Sequence, residues 1–252
     1  MKIEKIKKIG KKYKILLSDG SEIKTYDDVI IKYGLLYHKT IDNEILNKIS
    51  NDNDYYEIYY KAVNYITKRL RSEKEINEYI DKNKVTDKDK QKLIKKLKEN
   101  NLINDLNFTR AYIADKINLS NDGLDKIKNN LLMHNISSDI IDSELSKIDK
   151  NLIKNKLEKL INKKIKTSKY TGYKLRFKIV NELINLGYNQ SDILDIYDNI
   201  SVDNTESIKK EYDKIYKKLS SKYQGKELET RIKAKLYNRG FSIDEISKVA
   251  EF

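Results

Sequence analysis

Apolar positions in the first 35 residues alternate in the manner of β-strands. They flank Asp19-Gly20, a dipeptide that favours the tight turn of a β-hairpin. The next segment, DDVIIKYGL, has the pattern of a short helix that ends at Gly34. A polar connector, residues 38–54, follows it. The pattern therefore predicts a β-hairpin and short-helix extension with its connector over residues 1–50, folding separately from the rest of the chain.

From Tyr55 onward the apolar residues have helical spacing, and the chain contains no proline to interrupt it. A short turn recurs after successive amphipathic segments, at residues 83–85, 134–136, 186–188 and 239–241. The centres of these turns are 51, 52 and 53 positions apart. An isoleucine stands eight residues before each centre, as Ile76, Ile127, Ile179 and Ile232. Another apolar residue stands four or five before it, as Tyr79 or Ile80, Leu131, Leu183 and Leu236. The regularity predicts tandem repeats with a period near 52 residues.

Each period has room for three helices: a long one, a second that ends at the turn, and a third that begins at Thr86, Ser137, Ser191 or Ser242. Gly187 and Gly240 fit residues in a left-handed conformation just past the second helix. The predicted repeats span residues 55–101, 105–149, 150–200 and 205–252. Because one such repeat cannot bury both of its faces, neighbours should stack. The predicted fold is mainly all-α, with tandem three-helix repeats stacked into an elongated curved array and a small amino-terminal β-hairpin module.

Composition restricts the chemistry of this chain. It has no cysteine and two histidines, His38 and His134, which excludes disulfides, thiolate catalysis and a conventional zinc site. Neither histidine has a recognisable nucleophile motif beside it, and no phosphate-binding glycine pattern is present. We therefore predict a binding protein rather than an enzyme, without a metal or cofactor. No segment has the roughly 18 apolar residues that span a bilayer, and no signal peptide is evident, so we expect a cytoplasmic protein.

The net charge of +13 indicates a polyanionic partner, either nucleic acid or an acidic protein surface. Lysine outnumbers arginine 46 to 6, a skew that AT-rich coding can produce, so the arginines are the more informative cations. Residues 150–178 carry eleven cations and one acid, Glu158, whereas residues 179–205 carry five acids and no cation. This gradient predicts one face for a polyanion and another turned away from it.

The segment TKRLRSEKEI places three cations, Lys68, Arg69 and Arg71, at the predicted end of one helix and a capping box, Ser72 with Glu75, at the start of the next. On a helical wheel, one stripe is apolar: Tyr59, Ala62, Val63, Ile66 and Leu70. The opposite stripe contains Lys61, Asn64, Lys68 and Arg71, so these cations are predicted to point outward. They either bind a partner or only complement the helix dipole, which is worth about 0.3–1 kcal/mol.

A second candidate is KYTGYKLRFK, residues 169–178, in which aromatic residues alternate with cations as in a base-stacking platform for single strands. Tyr173 and Phe177 also share helical spacing with Val180 and Ile184. This spacing favours a core position for both rings and leaves Tyr170 as the exposed aromatic candidate.

Several motifs resemble the RecX family of bacterial regulatory proteins. KRLRSEKEI resembles the signature of the family's first repeat, and LINDLNFTRAYIADKI that of its second, with Asp105, Phe108, Ala111 and Tyr112 in the expected places. GLDKIKNNLLMHNISSDII continues the match, while YKILLSDG and DDVIIKYGL are similar to the extension on longer members. The resemblance covers essentially the whole chain, although the last two repeats are recognisable mainly by their period. Asn135 replaces the usual turn glycine, and asparagine tolerates the left-handed conformation.

The resemblance implies a monomeric, non-enzymatic modulator of the RecA recombinase that binds the RecA filament on single-stranded DNA. It would restrain ATP hydrolysis, strand exchange and the cleavage of SOS repressors, functions in homologous recombination and DNA repair. Alternatives are a module that binds nucleic acid alone and a scaffold for an unrelated acidic partner; groove binding or end capping, and inhibition or stimulation, stay open. The predicted partner-binding residues are Lys61, Lys68, Arg69, Arg71 and Arg110. The predicted DNA or filament contacts are Lys163, Lys164, Lys166, Lys169, Tyr170, Lys174, Arg176, Arg231 and Arg239.

Overall fold

The architecture is mainly helical, with a small amino-terminal sheet, as the periodicity predicts. The computed structural model describes residues 1–83, 85–168, 170–200 and 205–249, which contain three strands and thirteen helices. Lys84 and Lys169 therefore lie outside the described residues. The chain forms two compact units: Met1–Ala111 with His134–Ile136, and Tyr112–Met133 with Ser137–Phe252.

The amino-terminal sheet is an antiparallel meander of β1 (Ile3–Ile9), β2 (Lys12–Leu17) and β3 (Glu22–Tyr26). The hairpin at Asp19-Gly20 is confirmed, with Gly20 at φ +83° and the Asp19 carboxylate accepting a hydrogen bond from the Ser21 N–H. β1 is an additional strand that the hairpin prediction did not include. Four of its seven side chains are charged and most are exposed, which weakens the alternation that marks a strand.

Helix α1 (Asp27–Lys32) follows the sheet directly and ends before Gly34, which has φ +56°, as predicted. The predicted polar connector is wrong, because α2 (Asn43–Ile66) begins inside it. Asp42 caps α2 by accepting a hydrogen bond from the Ile45 N–H at 2.7 Å. Only a narrow side of the first half of α2 faces the sheet, through the buried Ile49, so the segment has the composition of a loop.

The two halves of α2 belong to different hydrophobic clusters of the first unit. The cluster beneath the sheet contains Ile15, Leu17, Val29, Ile30, Leu35, Ile41 and Ile49. The next cluster contains Tyr59, Ala62, Ile66, Ile76, Ile80, Leu93, Ile94, Leu97 and Ile103. Tyr56 packs against both. The amino-terminal module is thus joined to the first repeat by one continuous helix and is not separated from it by a linker.

The remaining helices follow the predicted order of three per repeat. They are α3 (Glu73–Asp81), α4 (Asp87–Glu99), α5 (Asp105–Leu119), α6 (Leu124–Met133), α7 (Ser138–Leu145), α8 (Lys150–Thr167), α9 (Gly172–Asn185), α10 (Gln190–Asp198), α11 (Thr205–Leu219), α12 (Gly225–Tyr237) and α13 (Ile243–Val249). Thr86, Ser137 and Ser242 directly precede the third helices, as predicted. In the third repeat Asn189 caps α10, so Ser191 lies two residues after the cap.

The core positions predicted from the period are confirmed. The eight repeated isoleucine and leucine side chains are each at most 1% exposed: Ile76, Ile80, Ile127, Leu131, Ile179, Leu183, Ile232 and Leu236. Phe108, from the second repeat, is also buried. The second helix of every repeat therefore contributes the same two positions to the interior.

The turns after these second helices contain residues in the left-handed conformation. Asn135 has φ +59°, Gly187 +82° and Gly240 +105°, as predicted. Two of the turns also pack tightly against the start of an earlier helix. The Gly123 N–H donates to the Leu186 carbonyl at 2.6 Å, and the Thr171 N–H donates to the Arg239 carbonyl at 2.9 Å.

This close approach explains why glycine occupies both turns. A Cβ at Gly187 would collide with the backbone nitrogen of Lys126, and one at Gly240 would collide with the Thr171 carbonyl. In the first unit, His134 lies in the corresponding turn, with its Nδ1 3.3 Å from Ser72 Oγ at the start of α3. The turn of one repeat thus contacts the start of the second helix of the preceding repeat.

Candidate partner and nucleic-acid interface

The cationic cluster at residues 68–71 lies in the connection between α2 and α3. Because α2 ends at Ile66, the helical wheel does not extend to these residues. Arg71 is only 11% exposed; its guanidinium lies 3.8 Å from the centroid of Tyr65, and Nη1 is 3.3 Å from Glu75 Oε1. The prediction that Arg71 points outward is therefore wrong, and Leu70, assigned to the buried stripe, is half exposed.

Lys68 and Arg69 are exposed, and Arg69 pairs with Glu75 through Nη2 at 2.5 Å. Glu75 also completes the predicted capping box: it accepts a hydrogen bond from the Ser72 N–H, and its own N–H donates to Ser72 Oγ. Burial opposes ionisation of Glu75, but hydrogen bonds from Arg69 and the Ser72 N–H outweigh it and lower the pKa of the carboxyl. The ionised Glu75 thus organises both arginines, and Lys68 and Arg69 remain the outward cations.

The other two predicted partner contacts of this group are exposed. Lys61 is paired with Glu57 one helical turn earlier, at 2.9 Å. Arg110 is on the exposed side of α5, next to the buried Thr109. Neither side chain is buried, and both stay predicted contacts.

Helix α8 carries exposed lysines along its length: Lys150, Lys154, Lys159, Lys163 and Lys166. Within the described residues, none of these five ammonium groups forms an ion pair. Lys164, in contrast, pairs with Glu182 and so links α8 to α9. Of the predicted contacts on α8, Lys163 and Lys166 present unneutralised charge to solvent, while Lys164 is partly structural.

Helix α9 exposes the rings that the helical spacing had placed in the core. Tyr173 is 60% exposed and Phe177 is 71% exposed, so that interpretation is wrong. Tyr170, predicted to be exposed, is 38% exposed. The core face of α9 consists of Leu175, Ile179, Val180 and Leu183. We call Tyr170, Tyr173 and Phe177 the aromatic row.

The repeat period contained the signal that places these rings correctly. It assigns Ile179 and Leu183 to the core, and Phe177 precedes Ile179 by two residues, about 200° around a helix. Tyr173 precedes Phe177 by one turn and shares its face. The stripe of Tyr173, Phe177 and Val180 includes one residue that is buried, since Val180 follows Ile179 and packs in the core with it.

Cations lie beside the aromatic row. Lys178 Nζ is 5.3 Å from the centroid of Tyr170, and Lys174 Nζ is 5.9 Å from that of Tyr173. Lys174 also donates a hydrogen bond to the Asn238 carbonyl at 2.6 Å, so its ammonium group has a structural contact as well. Aromatic faces and positive charge therefore occur together on α9.

The remaining predicted arginines contact acidic residues of the protein. Arg176 binds Asp198 through Nε and Nη2, at 3.1 and 2.9 Å, and joins α9 to α10. Arg231 pairs with Glu227 and lies over the Tyr223 ring at 3.9 Å. Arg239 pairs with Glu211. These three arginines are engaged by carboxylates of the second unit, whereas the five exposed lysines of α8 are without ion pairs among the described residues.

The imidazole of His134 has structural contacts, whereas His38 is exposed. His134 has an edge-on contact with the Phe108 ring at 5.1 Å, besides its contact with Ser72. The backbone N–H of His38 donates a hydrogen bond to the Gly34 carbonyl. Across the described ranges, no three His, Cys, Asp or Glu side chains converge as a metal site would require. No helix in the same ranges has both the length and the apolar composition to cross a membrane.

Known proteins resemble this chain over nearly its full length. A regulatory protein RecX from Lactococcus lactis subsp. cremoris (strain SK11) is 30% identical over 259 residues, which cover 98% of this chain and 96% of that protein. One from Streptococcus gordonii is 28% identical over 257 residues, covering 99% and 98%. A crystal structure of regulatory protein RecX, 21% identical, has the same fold, with a TM-score of 0.68 over 79% of this chain and 99% of that one.

A domain model described as RecX, third three-helix domain, matches residues 202–250. This is the last repeat, which sequence patterns had identified mainly by its period. The matched domain, the full-length relatives and the shared fold agree with one another. The chain belongs to the RecX family of regulatory proteins.

Proposed function

We propose that this chain is a non-enzymatic regulator that binds the RecA recombinase filament on single-stranded DNA and inhibits its ATPase, strand-exchange and co-protease activities. The observation that carries the proposal is family membership over nearly the whole chain, since a regulatory protein RecX aligns with 98% of it. The resemblance of its motifs to that family implies RecA as the partner.

The charge distribution supports a polyanionic partner. Exposed lysines without ion pairs in the described residues lie on α8, and Lys68 and Arg69 are exposed in the connection between α2 and α3. A filament on DNA presents phosphates and carboxylates, both of which attract such groups.

Two partly buried carboxylates, Asp28 and Glu75, have surroundings that support a role without catalysis. Burial disfavours ionisation of Asp28, but hydrogen bonds from Lys96 and Tyr60 lower the pKa of its carboxyl overall. Glu75 is likewise held ionised by arginine. Carboxylates with lowered pKa values and cationic partners stabilise a fold and are poor proton donors near neutral pH.

The test is ATP turnover by the cognate recombinase on single-stranded DNA, titrated with this protein. We expect turnover to fall with increasing protein and to saturate. Unchanged turnover and unchanged strand exchange would contradict the proposal, and a rise in turnover would replace inhibition by stimulation.

A double variant separates specific contacts from general charge. Lys68→Ala with Arg69→Ala should weaken inhibition by about tenfold or more, because the loss of even one charge-assisted bond at a partly desolvated interface costs about 1.5–3 kcal/mol. The matched control is Lys82→Ala with Lys88→Ala, two exposed lysines of the same unit outside the predicted contacts. Equal inhibition by the two double variants would remove residues 68 and 69 from the interface.

A further inference from the structure

The exposed face of α9 is unusually apolar for a helix beside so many lysines. Tyr173 and Phe177 are more than half exposed, and Ile184, two turns beyond Phe177, is 40% exposed. The opposite face of the same helix is buried through Leu175, Ile179 and Leu183. Several large exposed apolar side chains on one side of a helix are a candidate interaction site.

The charge around this face favours nucleic acid over an apolar protein groove. Residues 150–178 have a net charge of +10, and the single acid among them, Glu158, is on α8. Glu182, the acid on α9, is paired with Lys164 and lies 3.8 Å from Lys178 Nζ. The acid of α9 is therefore already paired with lysine, and the segment that contains the aromatic row carries an excess of cations.

The end of α8 is linked to α9 and presents further cations in the same repeat as the aromatic row. The Lys164–Glu182 pair joins the end of α8 to α9, and Lys163 and Lys166 flank Lys164 on α8 with exposed, unpaired ammonium groups among the described residues. Cations that track a backbone and aromatic rings that accept bases are the two components of single-strand binding.

The spacing of the rings suits an unstacked strand. Residues 173 and 177 are separated by a rise of about 6 Å along the helix. Adjacent bases within a duplex strand are about 3.4 Å apart, so bases on both rings must have separated from each other. A single strand can adopt that spacing without losing base pairs.

We propose that the aromatic row is a stacking site for bases of single-stranded DNA, with Lys174 and Lys178 beside the rings and the exposed Lys163 and Lys166 of α8 attracting phosphates of the same strand. The inference rests on the proposed function, because it specifies where this chain contacts the DNA on which the filament is assembled. In purely ionic binding the lysines would supply all of the affinity for DNA. In the stacking proposal, Tyr173 and Phe177 supply part of it.

The first test measures binding of a labelled oligothymidylate to the full chain without recombinase. Tyr173→Ala and Phe177→Ala should each weaken binding by about tenfold, within the range for loss of one stacked base. The control is Tyr37→Ala, which removes a ring that is 87% exposed in the amino-terminal module and should leave affinity unchanged. The ring variants should keep the dependence of log K on log salt, whereas Lys166→Ala should reduce its slope by about 0.7.

The second test uses a fluorescent reporter, since the chain has no tryptophan. Phe177→Trp should bind as the parent does, and its emission should be quenched by oligothymidylate but not by an abasic oligomer of equal length. Tyr37→Trp should not be quenched by either. Equal quenching of Phe177→Trp by both oligomers would show that phosphates, not bases, approach this face.

The outcomes distinguish this inference from the proposed function. If the parent protein fails to bind oligothymidylate, or the ring variants bind it as the parent does, the stacking proposal is wrong. If those variants keep DNA affinity but lose inhibition of recombinase turnover, the face contacts a protein and the proposed function stands. If the rings are needed for DNA binding but the parent protein leaves the recombinase unaffected, the proposed function is wrong and the stacking site stands.

Discussion

Neighbouring cations in one short segment have different roles in the folded protein. Arg69 and Arg71 both contact Glu75, yet Arg69 is 53% exposed and Arg71 is 11% exposed. The spacing of the two arginines in the sequence does not predict this difference in exposure, because helix α2 ends at Ile66 and helical periodicity does not apply beyond it.

We expect Arg71→Ala to lower the free energy of unfolding by about 1.5–3 kcal/mol, because it removes a charged hydrogen bond and the stacking on Tyr65. Arg69→Ala should cost about 1 kcal/mol or less, since its ion pair is exposed to solvent. Urea unfolding of the two variants measures both. Equal losses of unfolding free energy would show that the two arginines contribute equally to stability.

Asp28 joins the amino-terminal module to the helices that follow. It accepts hydrogen bonds from Tyr60 Oη at 2.7 Å and from Lys96 Nζ at 2.9 Å. Asp28→Asn should therefore destabilise the protein by about 1.5–3 kcal/mol at neutral pH. Asp27→Asn is the neighbouring control, because Asp27 has only a 3.7 Å contact with the exposed Lys8.

The same variant has an expected pH dependence. The folded-state pKa of Asp28 lies below its ordinary value of 3.8, so its contribution is fully present above that pH and is lost as pH falls through the lowered pKa. The difference in stability between the parent and Asp28→Asn should thus be constant from about pH 5 to 7 and shrink below about pH 4. A difference that shrinks instead between pH 5 and 7 would contradict the assigned direction.

Among helices and turns, the period correctly indicated which residues are buried and where the chain turns. It did not indicate that the turns at 186–187 and 239–240 press against the starts of α6 and α9. Glycine is required at these turns for two reasons: the backbone is left-handed, and the approaching helix leaves no room for a Cβ. Sequence periodicity indicates only the left-handed conformation.

Gly187→Ala should destabilise the second unit by about 3 kcal/mol or more, because it combines a left-handed residue with a collision against Lys126. Gly225→Ala is a matched control: Gly225 has φ +56° but open space around its Cα. It should cost only the conformational strain, about 1–2 kcal/mol. Thermal unfolding of both variants separates strain from packing, and equal shifts would exclude a packing role for Gly187.

Deletion of residues 1–41 should destabilise the first repeat by about 3 kcal/mol or more. The deletion removes the Tyr26 ring that stacks on Tyr60 at 4.9 Å and uncovers Ile49 on α2. Circular dichroism of the truncated chain should show a lower melting temperature and lost helix. An unchanged melting temperature would instead support the independent module that the sequence pattern predicted.

For the whole chain, the position of positive charge is expected to matter more than its amount. Lys159, Lys163 and Lys166 on α8, and Lys209, Lys217 and Lys218 on α11, are exposed sets of equal charge. Replacing either set by glutamine removes the same three charges. Only the α8 variant should weaken binding to single-stranded DNA by about tenfold or more and reduce the salt slope by about 2. Equal effects of the two triple variants would show that net charge alone directs binding.

Much of the fold and part of the candidate site were predictable from local patterns. Apolar spacing predicted the repeats, the buried isoleucines and the left-handed turns, since each follows from the conformational preferences of a few neighbouring residues. Charge counts identified α8 and the segment around Tyr170. The patterns failed for β1 and the start of α2, where charged side chains hid an element whose apolar side is only a few residues wide.

Packing between distant segments determined the rest. Tyr173 and Phe177 form one apolar stripe of α9 and Leu175 and Ile179 another. The repeat period favoured burial of the second stripe and the spacing of the rings favoured burial of the first, and the packing of the neighbouring helices buries the second. The burial of Arg71 likewise depends on its contacts with Tyr65 and Glu75. The pairing of Asp28 depends on Tyr60 and Lys96, which the fold brings near it. Periodicity records the shape of one helix, whereas exposure and ion pairing depend on what the other helices leave uncovered. That is why the sequence identified the family and the core, while the contacts of Arg71 and Asp28 became visible only in three dimensions.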